Sequence, residues 1–322
     1  MASKSFSEGK KMVLCSEALK AFVIQKQVDG LSHRSVDFYE RKLSMFVAFV
    51  TDKPVRSLTL QDGQNWVLHL SSRNRYVGHP LKKEIAEPMS KATLRGYIRA
   101  LKVWASYLAE EGYTKANVFA RIRLPADTKR VVEILSEEEI IRIFGAINQG
   151  TKLGARMHAI LSLLLDTGMR IGELERITFQ DIDFKQHRIK ITGKGDKERF
   201  VPFGVTTSKA ILAWYNMWRE DDGDERLFQM CQHSIAESMK RLGRKVGVER
   251  LHPHLLRHTY AVRWLRNGGD VFSLQRVLGH SDLEVTRVYI HLAQVDIEDK
   301  HRLVSPVDRL GLGKRQVRKT GT

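Results

Sequence analysis

Between Leu251 and Leu292 the chain writes three short helical segments and breaks each one: LHPHLLRHTYAVRWLRNGG, DVFSLQRVLGH and SDLEVTRVYIHL. Pro253 suits a first helical turn, where its missing N–H costs nothing, and Gly268-Gly269 ends that helix. Leu256, Tyr260 and Leu265 are placed to face a core, and His254 and Arg257, three residues apart, share a face. Gly279 stops the second segment and leaves His280 on the turn that follows; Ser281-Asp282 caps the third, which carries Tyr289. A chain punctuated in this way folds as a packed set of short helices with one Arg, several His and one Tyr at the breaks and faces.

Those residue types suit a particular chemistry. A phosphodiester is an anion that gains charge as it is attacked, so cleaving it calls for fixed cations, proton-transfer groups and a nucleophile. Arg257, His254, His280 and Tyr289 supply these. Taken singly, each has a plainer explanation: a lone Tyr is more often packing than nucleophile, and a lone His is usually just hydrogen-bonded. The ordered set argues otherwise, and it has a further member upstream in LLLDTGMRIGELERI, where Thr167-Gly168 breaks an apolar run, Arg170 opens a new helix and Glu173 lies one turn on.

Four motifs in this order, T-G-x-R-x-x-E-L at 167–174, H-x-x-R-H at 254–258, L-G-H at 278–280 and Tyr289 nine residues later, resemble the tyrosine recombinase (phage integrase) family. The resemblance covers roughly the last half of the chain at motif level and extends more loosely over the N-terminal helices. The simple two-domain layout is similar to the Xer recombinases and the integrases of mobile elements.

Charge points the same way independently. The 54 Lys and Arg against 37 Asp and Glu leave a formal charge of +17, and such an excess calls for an extended polyanionic partner, nucleic acid above all. A membrane surface would also attract it, but the sequence has no lipid-anchoring motif and no 18-residue apolar run, and its N-terminus lacks a signal-peptide core. Cys15 and Cys231 are too few and too isolated for a metal cluster or a disulfide framework. A reducing, cytoplasmic and nucleoid-associated setting is expected.

In chain order, residues 1–14 read as a polar arm and 15–120 as a helical bundle. Helices are expected from Ser16 (Leu19, Phe22, Val23), from about Ser32 (Val36 to Val50, with Arg34, Arg41 and Lys42 on the polar face) and from Thr59 (Trp66, Val67, Leu70). A polar loop, 71–88, carries Arg73, Arg75, Lys82 and Lys83 and precedes the clearest helix, capped by Ser90 and ended by Gly112. Basic faces on such a bundle are by default solvated; the resemblance implies a SAM-like core-binding domain closing over the duplex opposite the catalytic domain.

Residues 121–134 lose the amphipathic period and read as a linker; 135–304 form the second domain and 305–322 a tail. Ser136 and Glu139 make a capping box. In HRIKITGKGDKERFVPF the period shifts to two, which gives a β-hairpin with Ile189 and Ile191 on one strand, Val201 and Phe203 on the other, and a turn near 193–196. A helix from about Thr207 to Trp218 is expected to bury Ile211, Leu212 and Tyr215, and another runs from about Ile235 to Lys245. Asp296 to Leu303 reads as one short helix, and Lys314 to Thr322 as a basic tail. The expected fold class is therefore mainly α with a small β-hairpin.

The resemblance implies the roles. Tyr289 attacks a DNA phosphorus to give a 3′-phosphotyrosyl bond and a free 5′-hydroxyl; Arg170 and Arg257 hold the non-bridging oxygens. Lys194, in the G-K-G of the hairpin, matches the family's general acid, with Lys197 as the second candidate. His254 accepts the tyrosine proton, His280 hydrogen-bonds the phosphate, and Glu173 orients its neighbours. No metal and no other cofactor is expected. The partners implied are double-stranded DNA with inverted-repeat core sites and further subunits, a tetramer of this chain or a paralogous recombinase, with the C-terminal segment docked either on a neighbour or on its own domain. Two alternatives stand beside this: a type IB topoisomerase-like enzyme, which reseals the original strand, and a basic DNA-binding protein without catalysis.

Overall fold

The computed structural model describes residues 12–75, 85–126, 132–193, 198–279, 284–293, 301 and 305–310. The chain divides into two compact units, Met1–Arg130 and Val131–Thr322.

The first unit is built from α1 (Cys15–Val28), α2 (His33–Phe49), α3 (Leu60–Ser72) and α4 (Lys91–Glu110). The starts of α3 and α4 are set by side-chain caps of the kind that each stabilise a helix by about 1 kcal/mol. The Asp62 carboxylate accepts the Thr59 N–H while the Thr59 hydroxyl accepts that of Asp62, and the Ser90 hydroxyl accepts the Thr93 N–H. The apolar stripes meet in one core around Phe22, Leu43, Phe46, Trp66, Ile98, Trp104 and Leu108. There Phe46 lies edge-on to Trp66 and Trp104, with ring centroids 5.1 and 6.0 Å away.

Two expectations for this unit are corrected. The stretch 71–88 is not a plain loop, because β1 (Asn74–Arg75) and β2 (Ile85–Pro88) pair antiparallel. Lys42 is not a solvated cation like the exposed Arg34 and Arg41 on the same helix. Its ammonium sits 3.6 Å from the centroid of the Tyr97 ring and 4.9 Å from that of Phe38, and burial lowers its pKa. Lys82 and Lys83 lie outside the described residues.

In the second unit, α5 (Glu137–Gly145) starts at the reciprocal pair of Ser136 and Glu139. After α6 (Lys152–Thr167) and the single turn α7 (Ile171–Leu174), an antiparallel sheet runs in the order β3 (Ile182–Asp183), β4 (Arg188–Thr192), β5 (Glu198–Pro202). Ile189 pairs with Val201 and Ile191 with Arg199. Strand β3 adds an edge that the sequence periodicity does not announce.

Helices α8 (Val205–Met217), α9 (Gln232–Lys245), α10 (Pro253–Arg266), α11 (Val271–Leu278), α12 (Glu284–Ala293) and α13 (Pro306–Arg309) complete the described elements. Helix α10 packs against α6, α11 and α12 at once, which is why Leu255, Leu256, Thr259, Tyr260, Ala261 and Val262 are buried on it. In α8 the buried stripe differs from the expected one. Trp214, not Leu212 or Tyr215, joins Ile211 inside, because its indole N–H finds the Leu227 carbonyl at 2.8 Å. Tyr215 instead stacks on Phe179 at 3.7 Å. The expected helix Asp296 to Leu303, apart from His301, and the basic tail from Lys314 fall outside the described residues. Among the described residues no helix is long and apolar enough to cross a membrane.

Candidate active site

The break between α6 and α7 sets the first part of the site. Gly168 closes α6 in the left-handed conformation, φ +61°, and a Cβ there would come within 2.3 Å of the Tyr260 ring, so glycine answers both the turn and the close packing. The turn it makes places Arg170 at the N-cap of α7. From there the Arg170 backbone N–H donates to Glu173 Oε2 at 2.8 Å and its guanidinium to Oε1 at 3.2 Å, the side chain remaining 42% exposed.

Arg257 is the opposite case. It projects from α10 into the interior, only 4% exposed. One terminal nitrogen donates to the Gly168 carbonyl at 2.6 Å and the other to that of Leu278 at 2.8 Å. Burial first, then the neighbouring Arg170, lowers its pKa to about 10, and it stays protonated at any working pH. This one side chain ties the end of α6, α10 and the end of α11 together.

The C-terminal turn of α11 is held by arginines throughout. Gly279 stops that helix with φ +62°, leaving carbonyls that the helix cannot satisfy and a negative dipole end. Val277, Leu278 and Gly279 each give a carbonyl to a different arginine: Arg199 at 3.0 Å, Arg257 at 2.8 Å and Arg170 at 3.4 Å. Arg199 also grips Glu173 with both terminal nitrogens, at 3.0 and 2.8 Å. Burial pulls the Glu173 carboxyl up, but the Arg199 hydrogen bonds, the Arg170 N–H and the two guanidinium charges outweigh it, so Glu173 titrates below its ordinary range.

Tyr289 comes to α10 from α12. It is 4% exposed, and its hydroxyl lies 2.9 Å from Nδ1 of His258. Burial raises its pKa, partly countered by the charges of Arg257 and Arg170, so that both arginines are felt at the phenol. His254 lies one turn before His258 on the same face, ring centroids 6.4 Å apart, and is lowered by desolvation, then by Arg257, His252 and Arg170. The residue on the tyrosine hydroxyl is thus His258, to which the motif spacing assigns no role. Lys194, Lys197 and His280 lie outside the described residues; β4 and β5 fix the strands on either side of the lysines, and α11 leads directly into His280.

Desolvation, then His254, His252 and Arg257, lowers the His258 pKa from 6.5 to about 4. The folded ring is therefore neutral and able to accept a hydrogen bond from the phenol. Below pH 6.5 the unfolded chain binds a proton that the folded chain refuses until about pH 4, so this group favours folding above 6.5 and loses that contribution as pH falls through the window. The ring is only partly buried, so solvent screens part of the effect. Melting temperatures measured between pH 7.5 and 4 should fall more steeply in the wild type than in His258→Gln, by about a few degrees.

A family model for the phage integrase family matches residues 133–295. The tyrosine recombinase XerC of Bacillus pumilus is 33% identical over 223 residues, 64% of this chain and 72% of that protein. The tyrosine recombinase XerA of Saccharolobus solfataricus is 29% identical over 282 residues, 87% and 90% of the two chains. The fold is shared with the Tn1549 transposon integrase solved with circular intermediate DNA, TM-score 0.66 at 20% identity over 89% of this chain and 98% of that one. It is also shared with a lambda integrase dimer bound to a core site, TM-score 0.67 at 16% identity over 86% and 77%. With the matched model spanning half the sequence and the Xer proteins aligned over most of their length, the chain belongs to the phage integrase family and is a site-specific tyrosine recombinase.

Proposed function

We propose that this recombinase cuts and rejoins double-stranded DNA at core sites with inverted repeats, acting as a tetramer on synapsed DNA, with copies of itself or a paralogue. The observation that carries the reading is Arg257, buried between the Gly168 and Leu278 carbonyls and electrostatically coupled to both Arg170 and Tyr289. Two cations and a phenol are thereby gathered around α10, one cation half-exposed for a phosphate to reach. The structures of the transposon and lambda integrases on DNA support the choice of duplex DNA as substrate, as does the charge of +17. The cytoplasm, on the nucleoid, is where such a substrate is met.

In this reading the Tyr289 oxygen attacks the phosphorus, the bond from phosphorus to the 5′-oxygen breaks, and Lys194 protonates the leaving oxygen. Arg170 and Arg257 take up the charge on the non-bridging oxygens, with His280 as a further donor. In the resting protein the phenolic proton rests on the bond to His258; when the tyrosine moves to the phosphate, His254 accepts it. The phosphotyrosyl bond conserves the energy of the cleaved linkage, so a 5′-hydroxyl from a second duplex can displace Tyr289 without ATP. Two such exchanges pass through a Holliday junction. The same reaction serves integration and excision of a mobile element or resolution of a chromosome or plasmid dimer.

Two labelled duplexes of different lengths, carrying a site found by footprinting the protein on genomic DNA, test the reading. Exchanged-length products and four-way intermediates are expected. Relaxation of a supercoiled plasmid without exchange would mark a topoisomerase, and binding without a covalent adduct a passive DNA-binding protein.

A further inference from the structure

Arg199 lies on β5, next to Glu198, the first described residue after the hairpin turn, and pairs across the sheet with Ile191. Every nitrogen of its guanidinium is committed: Nε to the Val277 carbonyl, and the two terminal nitrogens to separate oxygens of Glu173. The pair is largely buried, 15% and 5% exposed. Gly279 packs directly on it, for a Cβ there would stand 3.0 Å from the Arg199 Cζ. A side chain so held serves the protein's own acceptors, and it links β5, the Arg170 turn and the end of α11.

We propose that Arg199 is a positioning residue for phosphoryl transfer, one that occupies Glu173 so that Arg170 remains free to bind the scissile phosphate. Arg170 and Arg199 compete for one carboxylate. Arg199 holds it in a two-pronged fork at 3.0 and 2.8 Å, whereas Arg170 makes a single side-chain contact at 3.2 Å and stays 42% exposed. With Arg199 gone, Glu173 would be a buried carboxylate whose remaining guanidinium hydrogen bond, among the described residues, is to Arg170, and such a charge draws its partner into full pairing. Arg170 would then be taken off the phosphate, and the α11 turn would lose its bond at Val277. The proposal rests on the assignment of Arg170 to the phosphate.

The test measures single-turnover cleavage of a nicked duplex, with DNA affinity and melting temperature followed in parallel. Arg199→Ala should cleave about 100-fold more slowly, the scale for loss of one transition-state donor, with DNA affinity within about threefold. Adding Glu173→Gln to Arg199→Ala removes the competing charge and should restore at least about tenfold of the rate. Replacing the scissile phosphate by a methylphosphonate, in which a neutral methyl stands in place of a charged non-bridging oxygen that Arg170 would meet, should shrink the Arg199→Ala defect in the same way. Should Arg199→Ala fold poorly, Arg199→Lys, which keeps the charge but not the fork, should show a smaller defect with the same methylphosphonate response.

An Arg199→Ala rate near wild type would overturn the proposal. So would a double variant no faster than Arg199→Ala, which would mean that Arg199 only braces the fold. A wild-type protein that forms no adduct, or an Arg170→Ala variant that cleaves normally, would instead overturn the functional assignment on which the proposal stands.

Discussion

Tyr289→Phe should abolish covalent capture of DNA while leaving the folded protein and its DNA affinity almost unchanged. The substitution removes one oxygen from a side chain that is 4% exposed. Its structural cost is the single bond to His258 at 2.9 Å, about 1 kcal/mol for a hydrogen bond of this kind. Its chemical cost is the nucleophile itself, and losses of that kind reach about 10⁴-fold or more. Trapping on a nicked duplex, run beside a melting curve and a gel-shift titration, separates the two. A Tyr289→Phe protein that still forms an adduct would exclude this tyrosine.

The second large effect belongs to Arg257, and it is double. Arg257→Ala should lose about 10³-fold in cleavage, as expected for removing a preorganised cation from the transition state. It should also be markedly less stable, because the Gly168 and Leu278 carbonyls lose their donors in the interior, at about 1–3 kcal/mol for each buried group left unpaired. Arg170→Ala provides the contrast. Its side chain is 42% exposed, so it should lose a similar factor in rate with a change in stability of under about 1 kcal/mol. Equal melting temperatures for the two variants would contradict the distinction between a buried tie and an exposed phosphate contact.

Much of this was legible in the sequence because local chemistry and tertiary need agree. Thr59, Ser90 and Ser136 cap helices as their types suggest, and Gly168 and Gly279 adopt the left-handed conformation that a helix stop asks for. The alternation of Ile189, Ile191, Val201 and Phe203 gives the hairpin. Two features escaped because they depend on what lies across the gap. Trp214 is inside because Leu227 offers a carbonyl, and β1 and β2 form because two ends of a polar stretch meet.

His258 and Arg199 are the instructive omissions at the site. His258 was in the motif beside Arg257, but its partner is on α12, 31 residues away; the signal available was its spacing of four from His254, which puts both on one helix face. Arg199 carried a readable signal as well. The alternation that turns Val201 inward turns Arg199 inward too, and an inward arginine needs a buried partner, which Glu173 supplies.

The central claim is that elements bearing Arg170, Arg257 and Tyr289 converge on one scissile phosphate. It is tested most directly by isolating the covalent adduct from a nicked duplex, digesting it and locating the nucleotide by mass spectrometry. The account predicts a 3′-phosphoryl group on Tyr289 and a free 5′-hydroxyl on the released strand. A nucleotide found on any other residue, Tyr260 included, or a 5′-linked adduct, would contradict it.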